Sequence, residues 1–185
     1  MNARPASFHP YARLLHWSMA ILIVAMLFVG VGMASTVSPL RQTLLALHRP
    51  LGLALLVLVA LRLAVRLRHR PPPLPAALPA WQRHAAGASH GLLYGLMFAL
   101  PLVGWAMLSA GDYPLTLAPG LTLPPIVPRD AALYALRRRA HTALALLLFG
   151  TVLLHLAAAL QHAWLRRDGV MASMAPWRRR PGQSG

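Results

Sequence analysis

The sequence predicts an all-α membrane protein, a single domain over residues 1–185 that forms a bundle of four transmembrane helices with both termini in the cytoplasm. Hydrophobic residues make up 57% of the chain and charged residues only 11%, whereas a soluble domain carries roughly 25% charged residues. The apolar residues fall into four long runs, and each run is long enough to cross a hydrocarbon core, which takes about 20 residues. Most of the few charges lie at the ends of these runs or between them.

The four runs cover approximately residues 14–34, 44–65, 88–110 and 140–165. The first run follows two arginines, as a cleaved signal peptide would, but it is longer than the apolar core of about 7–15 residues that signal peptides have. We therefore interpret it as a helix of the mature protein. Prolines over residues 71–75 predict a stiff, extended connector between the second and third runs. Five prolines within residues 111–128 predict a structured loop without long helices before the fourth run.

The distribution of arginine predicts how the bundle is oriented. All 18 basic residues are arginine, and the acidic residues are Asp112, Asp130 and Asp168. The side of the membrane that holds both termini and the proline-rich connector carries twelve arginines, and the other side carries six. Because positively charged loops stay in the cytoplasm, both termini are predicted to lie there.

Composition also excludes several functions. A net charge of +15 is compatible with nucleic-acid binding, but binding proteins of that kind gather their basic residues on a soluble face. Here the arginines flank apolar runs, so nucleic acid is not an expected partner. The chain has no cysteine, which excludes disulfides, iron–sulfur clusters and covalently attached c-type haem.

Histidines within the apolar runs are the candidate functional residues, because ionisable groups inside a membrane are costly and usually functional. His141 and His155 are fourteen residues apart, so they share one helix face at a separation of about 21 Å. His16 begins the first span on the inner side, and His48 begins the second on the outer side. Histidines that face each other across a bundle are the usual axial ligands of b haem. The sequence therefore predicts two b haems, the inner one between His16 and His155 and the outer one between His48 and His141.

Other positions agree with this geometry but admit a second interpretation. Gly30 follows His16 by fourteen residues and leaves room for the edge of the outer haem, or it allows close helix packing. Arg62 follows His48 by the same interval and pairs with a propionate of the inner haem, or it only orients the span. For His90 we favour a hydrogen-bonded polar residue between helices. Zinc is disfavoured, because the histidines divide between two membrane levels without a nearby carboxylate or thiolate.

The chain resembles the bacterial cytochrome b561 family, four-helix di-haem proteins of the inner membrane. The resemblance covers nearly the whole chain and rests on Arg13-Leu14-Leu15-His16-Trp17, His48-Arg49-Pro50-Leu51-Gly52, Leu61-Arg62, Ala88-Ser89-His90-Gly91-Leu92-Leu93-Tyr94, Leu100-Pro101-Leu102-Val103-Gly104-Trp105, His141, His155 to His162, and Arg167-Asp168-Gly169. The family's four haem ligands fall on His16, His48, His141 and His155. Many members have glutamate after the ligand at the start of the fourth helix, where this chain has Thr142.

The resemblance implies that the protein is a superoxide oxidase, which passes electrons from superoxide outside the membrane to ubiquinone. Two sets of residues are consistent with that activity. His162, seven residues after His155, is the candidate quinone ligand, unless it is a solvated interfacial histidine. A set of outer arginines is expected to steer superoxide to the outer haem, or else to bind haem propionates or lipid phosphates: Arg41, Arg49, Arg129, Arg137, Arg138 and Arg139.

Two further functions stay open on the sequence. The chain is alternatively a cytochrome b subunit that carries electrons between the quinone pool and a partner redox protein, such as a hydrogenase or a dehydrogenase. A transporter with structural histidines is the third interpretation, and it predicts no haem. Membrane lipid is an expected partner in every case.

Overall fold

The computed structural model describes residues 7–69, 71–73, 78–118 and 120–175. Four long helices form the body of the protein: α1 (Pro10–Ser35), α2 (Leu40–Arg68), α3 (Ala80–Ala110) and α4 (Ala131–Leu160). Two short strands, β1 (Leu115–Ala118) and β2 (Leu121–Leu123), lie between α3 and α4. A π-helical turn, Gln161–Arg166, continues α4, and the short helix α5 (Val170–Met174) follows it.

All four long helices have the length and the hydropathy needed to cross a membrane. This confirms the predicted fold class, and the protein is a multi-pass membrane protein. The helices extend beyond the apolar runs, and α4 begins nine residues before its run. The reason is local, because the side chain of Asp130 accepts a hydrogen bond from the amide of Leu133 at 2.8 Å and caps the helix there.

Several predictions fall on residues outside the described ranges. Arg4, Arg70 and the three consecutive arginines at 178–180, which were counted in the orientation of the bundle, are among them. So are residues 74–77 of the proline-rich connector. The described prolines of that connector, Pro71, Pro72 and Pro73, adopt neither helix nor strand, as a stiff extended connector requires.

A thin apolar layer joins the four helices at the middle of the bundle. Helix α1 packs mainly on α2, and α3 packs mainly on α4. The buried side chains of the layer come from every helix: Met19, Ile23, Val59, Leu96 and Leu148. In sequence, Leu148 lies midway between His141 and His155, so this layer separates the two levels at which those histidines stand.

Many large apolar side chains point away from the bundle. Ile21, Phe28 and Leu154 are 69%, 75% and 73% exposed. On a soluble protein this much exposed apolar surface would drive association, whereas in a membrane it contacts lipid. The small core is therefore the expected arrangement of a bundle whose outer surface is solvated by hydrocarbon.

The loop between α3 and α4 is structured and contains a hairpin that the sequence did not reveal. Strands β1 and β2 pair antiparallel, and the hydroxyl groups of Thr116 and Thr122 lie 2.9 Å apart. Gly120 supplies the positive φ of 79° at the turn. The indole of Trp105 donates to the carbonyl of Pro124 at 3.1 Å, which fastens the loop over the end of α3.

The segment after α4 folds back against the start of α1. The indole of Trp17 donates to the carbonyl of Met174 at 3.0 Å, and the amide of Phe8 donates to the carbonyl of Ser173 at 3.2 Å. Trp17 directly follows His16. The C-terminal segment therefore lies at the same end of the bundle as the inner histidines.

Candidate functional site

His48 of α2 and His141 of α4 face each other near one end of the bundle. Their ring centroids are 6.1 Å apart, and the ring planes are inclined at 71°. Within the described residues, the Nδ1 atom of His48 is buried and has no hydrogen-bond partner, whereas the ring of His141 interacts with the backbone of Leu100. Buried polar atoms are nearly always satisfied in folded proteins. A purely structural histidine would be hydrogen-bonded to a neighbouring helix, so the unpartnered ring of His48, which faces His141, is a candidate ligand for a bound group.

Three histidines meet near the other end. The rings of His16 and His155 are 6.3 Å apart at their centroids, with planes inclined at 76°. His90 of α3 lies 5.6 Å from His155, with planes inclined at 72°. The structure thus places the four predicted ligands in the two predicted pairs and adds His90 beside the inner pair.

The separation of the rings within each pair fits one iron ion. Two metal–nitrogen bonds of about 2 Å, together with half of each ring, give a distance of about 6 Å between ring centroids. Both predicted pairs match this distance, and the contact of His90 with His155 is shorter. The residues present therefore fit two haem groups with two axial histidines each, and His90 remains the expected polar neighbour.

Three arginines beside the histidines lack partners in the interior. The Nε atoms of Arg13, Arg49 and Arg137 are buried without a hydrogen-bond partner. Arg49 follows His48 directly, and Arg137 precedes His141 by one helical turn. Guanidinium groups bind carboxylates with paired hydrogen bonds. The three donors are therefore suited to haem propionates, two beside the outer pair and one beside the inner pair.

Arg62 and Gly30, the two supporting positions, have different surroundings. The Nη1 of Arg62 donates to the carbonyl of Ala12 at 3.0 Å, which ties α2 to α1. The Tyr94 side chain also hydrogen-bonds the guanidinium, so only its remaining N–H groups could reach a propionate. A Cβ placed on Gly30 would meet no atom within 4 Å. There is open space at this glycine, as a haem edge requires.

Gly104 of α3 is a site residue that sequence reasoning missed. A Cβ placed on it would lie 3.3 Å from Cε1 of His141 and 3.5 Å from Nδ1. Only a residue without a side chain lets α3 approach the ring this closely. The signal was present, because Gly104 lies in the segment that carries the family resemblance, but the sequence does not show which helix faces His141.

His162 pairs with an acidic residue just after α4. Its Nδ1 lies 2.6 Å from Oδ2 of Asp168, and the side chains are 20% and 18% exposed. Burial raises the pKa of Asp168, but the hydrogen bonds from His162 and from the amide of Val170 outweigh burial and hold that pKa below its usual range. The pair depends on the π-helical turn and on the left-handed conformation of Arg167, φ 50°, which the sequence does not predict.

The arginines predicted to steer superoxide do not form one cluster. Arg41 is exposed at the start of α2, while Arg49 and Arg137 are partly buried beside the histidines. Arg138 and Arg139 are exposed on the side of α4 that turns away from the bundle. Arg129 forms an ion pair with Asp112 at 3.1 Å, and both side chains are largely exposed.

Similarity to known proteins identifies the family of the chain. The sequence model of a family described as prokaryotic cytochrome b561 matches residues 7–177. The chain is 28% identical over 172 residues to cytochrome b561 homolog 1 of Escherichia coli K12, covering 89% of this chain and 94% of that protein. It is 29% identical over 133 residues to a probable superoxide oxidase CybB of Yersinia pestis, covering 72% and 75%. Cytochrome b561 homolog 2 of Escherichia coli K12 is 27% identical over 162 residues, covering 86% of each chain.

Proposed function

The chain belongs to the prokaryotic cytochrome b561 family, whose members transfer electrons through a membrane, and we propose that it oxidises superoxide at the outer face of the bacterial inner membrane and reduces ubiquinone. Two superoxide anions each lose one electron and leave as dioxygen. One ubiquinone gains both electrons and two protons and leaves as ubiquinol. The observation that carries the proposal is that α4 contributes two histidines, about 21 Å apart, and each of them faces a histidine of another helix.

Two b haems are the proposed cofactors, held by His16 with His155 and by His48 with His141. When bound, haem supplies the one-electron chemistry that links a one-electron donor to a two-electron acceptor. The chain's own part is to fix the rings, to neutralise the propionates and to exclude water. Arg49 and Arg137 at the outer level and Arg13 and Arg62 at the inner level are the proposed propionate partners.

A positive outer surface is proposed to attract superoxide. The six arginines assigned to that side outnumber its two aspartates, Asp112 and Asp130. A net positive field raises the local concentration of a small anion and speeds its encounter with the protein, and salt screens the field. Arg41, Arg49, Arg137, Arg138 and Arg139 contribute to this field to the extent that bound propionates and lipid phosphates leave their charge unneutralised.

The pair of His162 and Asp168 is the proposed proton-transfer and quinone-binding site. When Nδ1 of His162 donates to the carboxylate of Asp168, Nε2 is free to carry the proton that a quinone carbonyl would accept. The carboxylate holds the imidazole in one orientation, as acidic partners of catalytic histidines do. Because quinone reduction consumes protons, a histidine beside the carbonyl is well placed to deliver one. His162 lies in a π-helical turn, and such turns are frequent at functional sites.

The proposal is tested by visible spectroscopy of the purified protein in detergent. Spectra are recorded as prepared, after a pulse of superoxide, after ubiquinone and after dithionite. The expected result is rapid reduction of the haem bands by superoxide and reoxidation by ubiquinone. His162→Ala is the matched variant, and it should keep the superoxide step while slowing the quinone step at least tenfold, a low value for the loss of a general acid.

Other outcomes would assign the other functions. Haem bands that only dithionite reduces would retain the di-haem bundle and favour a cytochrome b subunit for a partner redox protein. A preparation without haem bands would favour a transporter. Loss of haem in His162→Ala would show that His162 is a ligand and that the inner pair is assigned wrongly.

A further inference from the structure

A groove on the outward face of α4 is lined by two arginines that have no acidic partner within the described residues. It has a volume of about 570 Å³, and its lining includes Tyr134, Arg138, Arg139, Ala143 and Leu146. Both arginines, Ala143 and Leu146 are exposed. Arg139, Ala143 and Leu146 lie on the side of α4 away from His141 and His155, so the groove opens toward the surrounding membrane.

No acidic residue of the chain neutralises the two arginines. The sequence contains three acidic residues, and the described structure engages each of them elsewhere. Asp112 pairs with Arg129, Asp130 caps α4, and Asp168 pairs with His162. Within the described residues, the guanidinium groups of Arg138 and Arg139 have neither an ion pair nor a hydrogen bond. Basic residues exposed at the headgroup level attract anions, so a counter-ion for these two arginines would come from outside the chain.

The groove also has a polarity along the membrane normal. Tyr134 and the two arginines lie toward the end at which α4 begins, and Leu146, 68% exposed, lies about 12 Å further into the bilayer than Arg138. Aromatic and basic residues are typical of the headgroup level, and apolar residues are typical of the acyl level. A phospholipid in the adjoining leaflet has the same order, with its charged headgroup at the membrane surface and its acyl chains deeper in the bilayer.

We propose that this groove binds one anionic phospholipid, with its phosphate on Arg138 and Arg139 and an acyl chain along Ala143 and Leu146. A lipid without net charge has the same phosphate but carries its own cation, which competes with the guanidinium groups. Anionic headgroups are therefore preferred. A soluble partner protein would reach the arginines but not the apolar end of the groove, which lies among the acyl chains.

The test is native mass spectrometry of the full-length haem-loaded protein, titrated with phosphatidylglycerol and with phosphatidylcholine. Wild type should bind the first phosphatidylglycerol about tenfold or more tightly than phosphatidylcholine, the scale expected for two basic residues near an anionic headgroup. The double variant Arg138→Gln with Arg139→Gln should lose this preference. The charge-conserving double variant Arg138→Lys with Arg139→Lys should keep most of it.

Arg41→Gln is the matched control, because Arg41 is exposed on the same side of the bundle but lies outside the groove. It should bind phosphatidylglycerol as wild type does. An equal loss in this control would overturn the proposal, since it would show that net charge alone attracts the lipid. Equal affinity of wild type for the two lipids would also overturn it. So would displacement of the lipid by glycerol 3-phosphate at a similar concentration, because the groove would then be a site for a free anion.

Discussion

At the scale of single residues, unpartnered nitrogen atoms distinguish the site from the rest of the bundle. Within the described residues, His48, Arg49 and Arg137 each have a buried nitrogen without a hydrogen-bond partner. Such groups cost free energy when they are left unsatisfied, about 1–3 kcal/mol each and more when they are charged. Three such nitrogens beside the facing rings of His48 and His141 would suit a ligand that combines a metal with carboxylates, as haem b does.

Replacing one ligand should remove one haem. His48→Ala should lower the haem content by about half, because the outer iron loses an axial ligand and haem is held mainly by its ligands and propionate contacts. His90→Ala should keep the content of wild type. The pyridine haemochrome assay on purified protein measures both. A lower content in His90→Ala would mean that His90, and not His16, completes the inner pair.

Asp168 provides a prediction on pH. Its pKa is held below the usual range by His162 and the amide of Val170, so the folded protein favours the carboxylate. The stabilisation is fully present above the unfolded pKa of about 4 and is lost as the pH falls through the lower, folded pKa. Wild type should therefore exceed Asp168→Asn in thermal midpoint near neutral pH, and the two should converge in acid. A difference that does not shrink in acid would contradict this role of the charge.

The sequence could predict some of these residues because helical spacing is regular. The interval between His141 and His155 sufficed to place two candidates on one face of α4, and the structure brings each within 6.3 Å of its predicted partner ring. Asp168 could not be predicted as the partner of His162, since their contact depends on a π-helical turn and a left-handed residue. Arg13 could not be predicted either, because nothing in the sequence shows which arginines turn inward.

At the scale of elements, α4 organises the site because it contributes a ring at both levels. Its partners differ, with α2 facing it at the outer level and α1 at the inner level. Helix α3 supports the outer ring by close approach at Gly104. The existence of the four helices could be predicted from hydropathy. Their ends could not, because capping by Asp130 and the hairpin β1–β2 depend on contacts outside the apolar runs.

Gly104 tests this arrangement of helices. Gly104→Leu should displace the ring of His141 and lower outer-haem occupancy by about half or more, because the added side chain has no space beside a ring 3.3 Å from the Cβ position. Gly95→Leu on the same helix is the control, since a Cβ there meets nothing within 4 Å. Haem content and the reduced absorption bands report the result. Normal haem in Gly104→Leu would show that α3 does not confine the ring.

At the scale of the whole molecule, charge and hydropathy divide the protein into layers. Arginines mark both surfaces, two histidine levels lie below them, and the apolar layer around Val59 and Leu148 separates the levels. With 18 arginines and three aspartates, the molecule needs external anions, which lipid phosphates and haem propionates supply. The layers could be predicted from sequence, whereas only the structure shows which arginines turn inward beside the histidines and which are exposed.

The orientation of the bundle is testable with reporter fusions. Green fluorescent protein fused after the C-terminus should fluoresce, and alkaline phosphatase at the same position should be inactive, because both termini are predicted to be cytoplasmic. Alkaline phosphatase inserted at Gly120, in the turn of the hairpin, should be active. The reverse pattern would place the proposed superoxide face in the cytoplasm.

The central claim is that the protein couples superoxide outside the membrane to ubiquinone in the bilayer. The most direct measurement is ubiquinol formation in right-side-out membrane vesicles that contain the protein, with superoxide generated only in the external solution. We expect one ubiquinol for every two superoxide anions consumed. The rate should fall as the salt concentration increases, and it should be at least tenfold lower in His162→Ala. Ubiquinol formation no faster than in vesicles without the protein, while dithionite still reduces the haems, would contradict it.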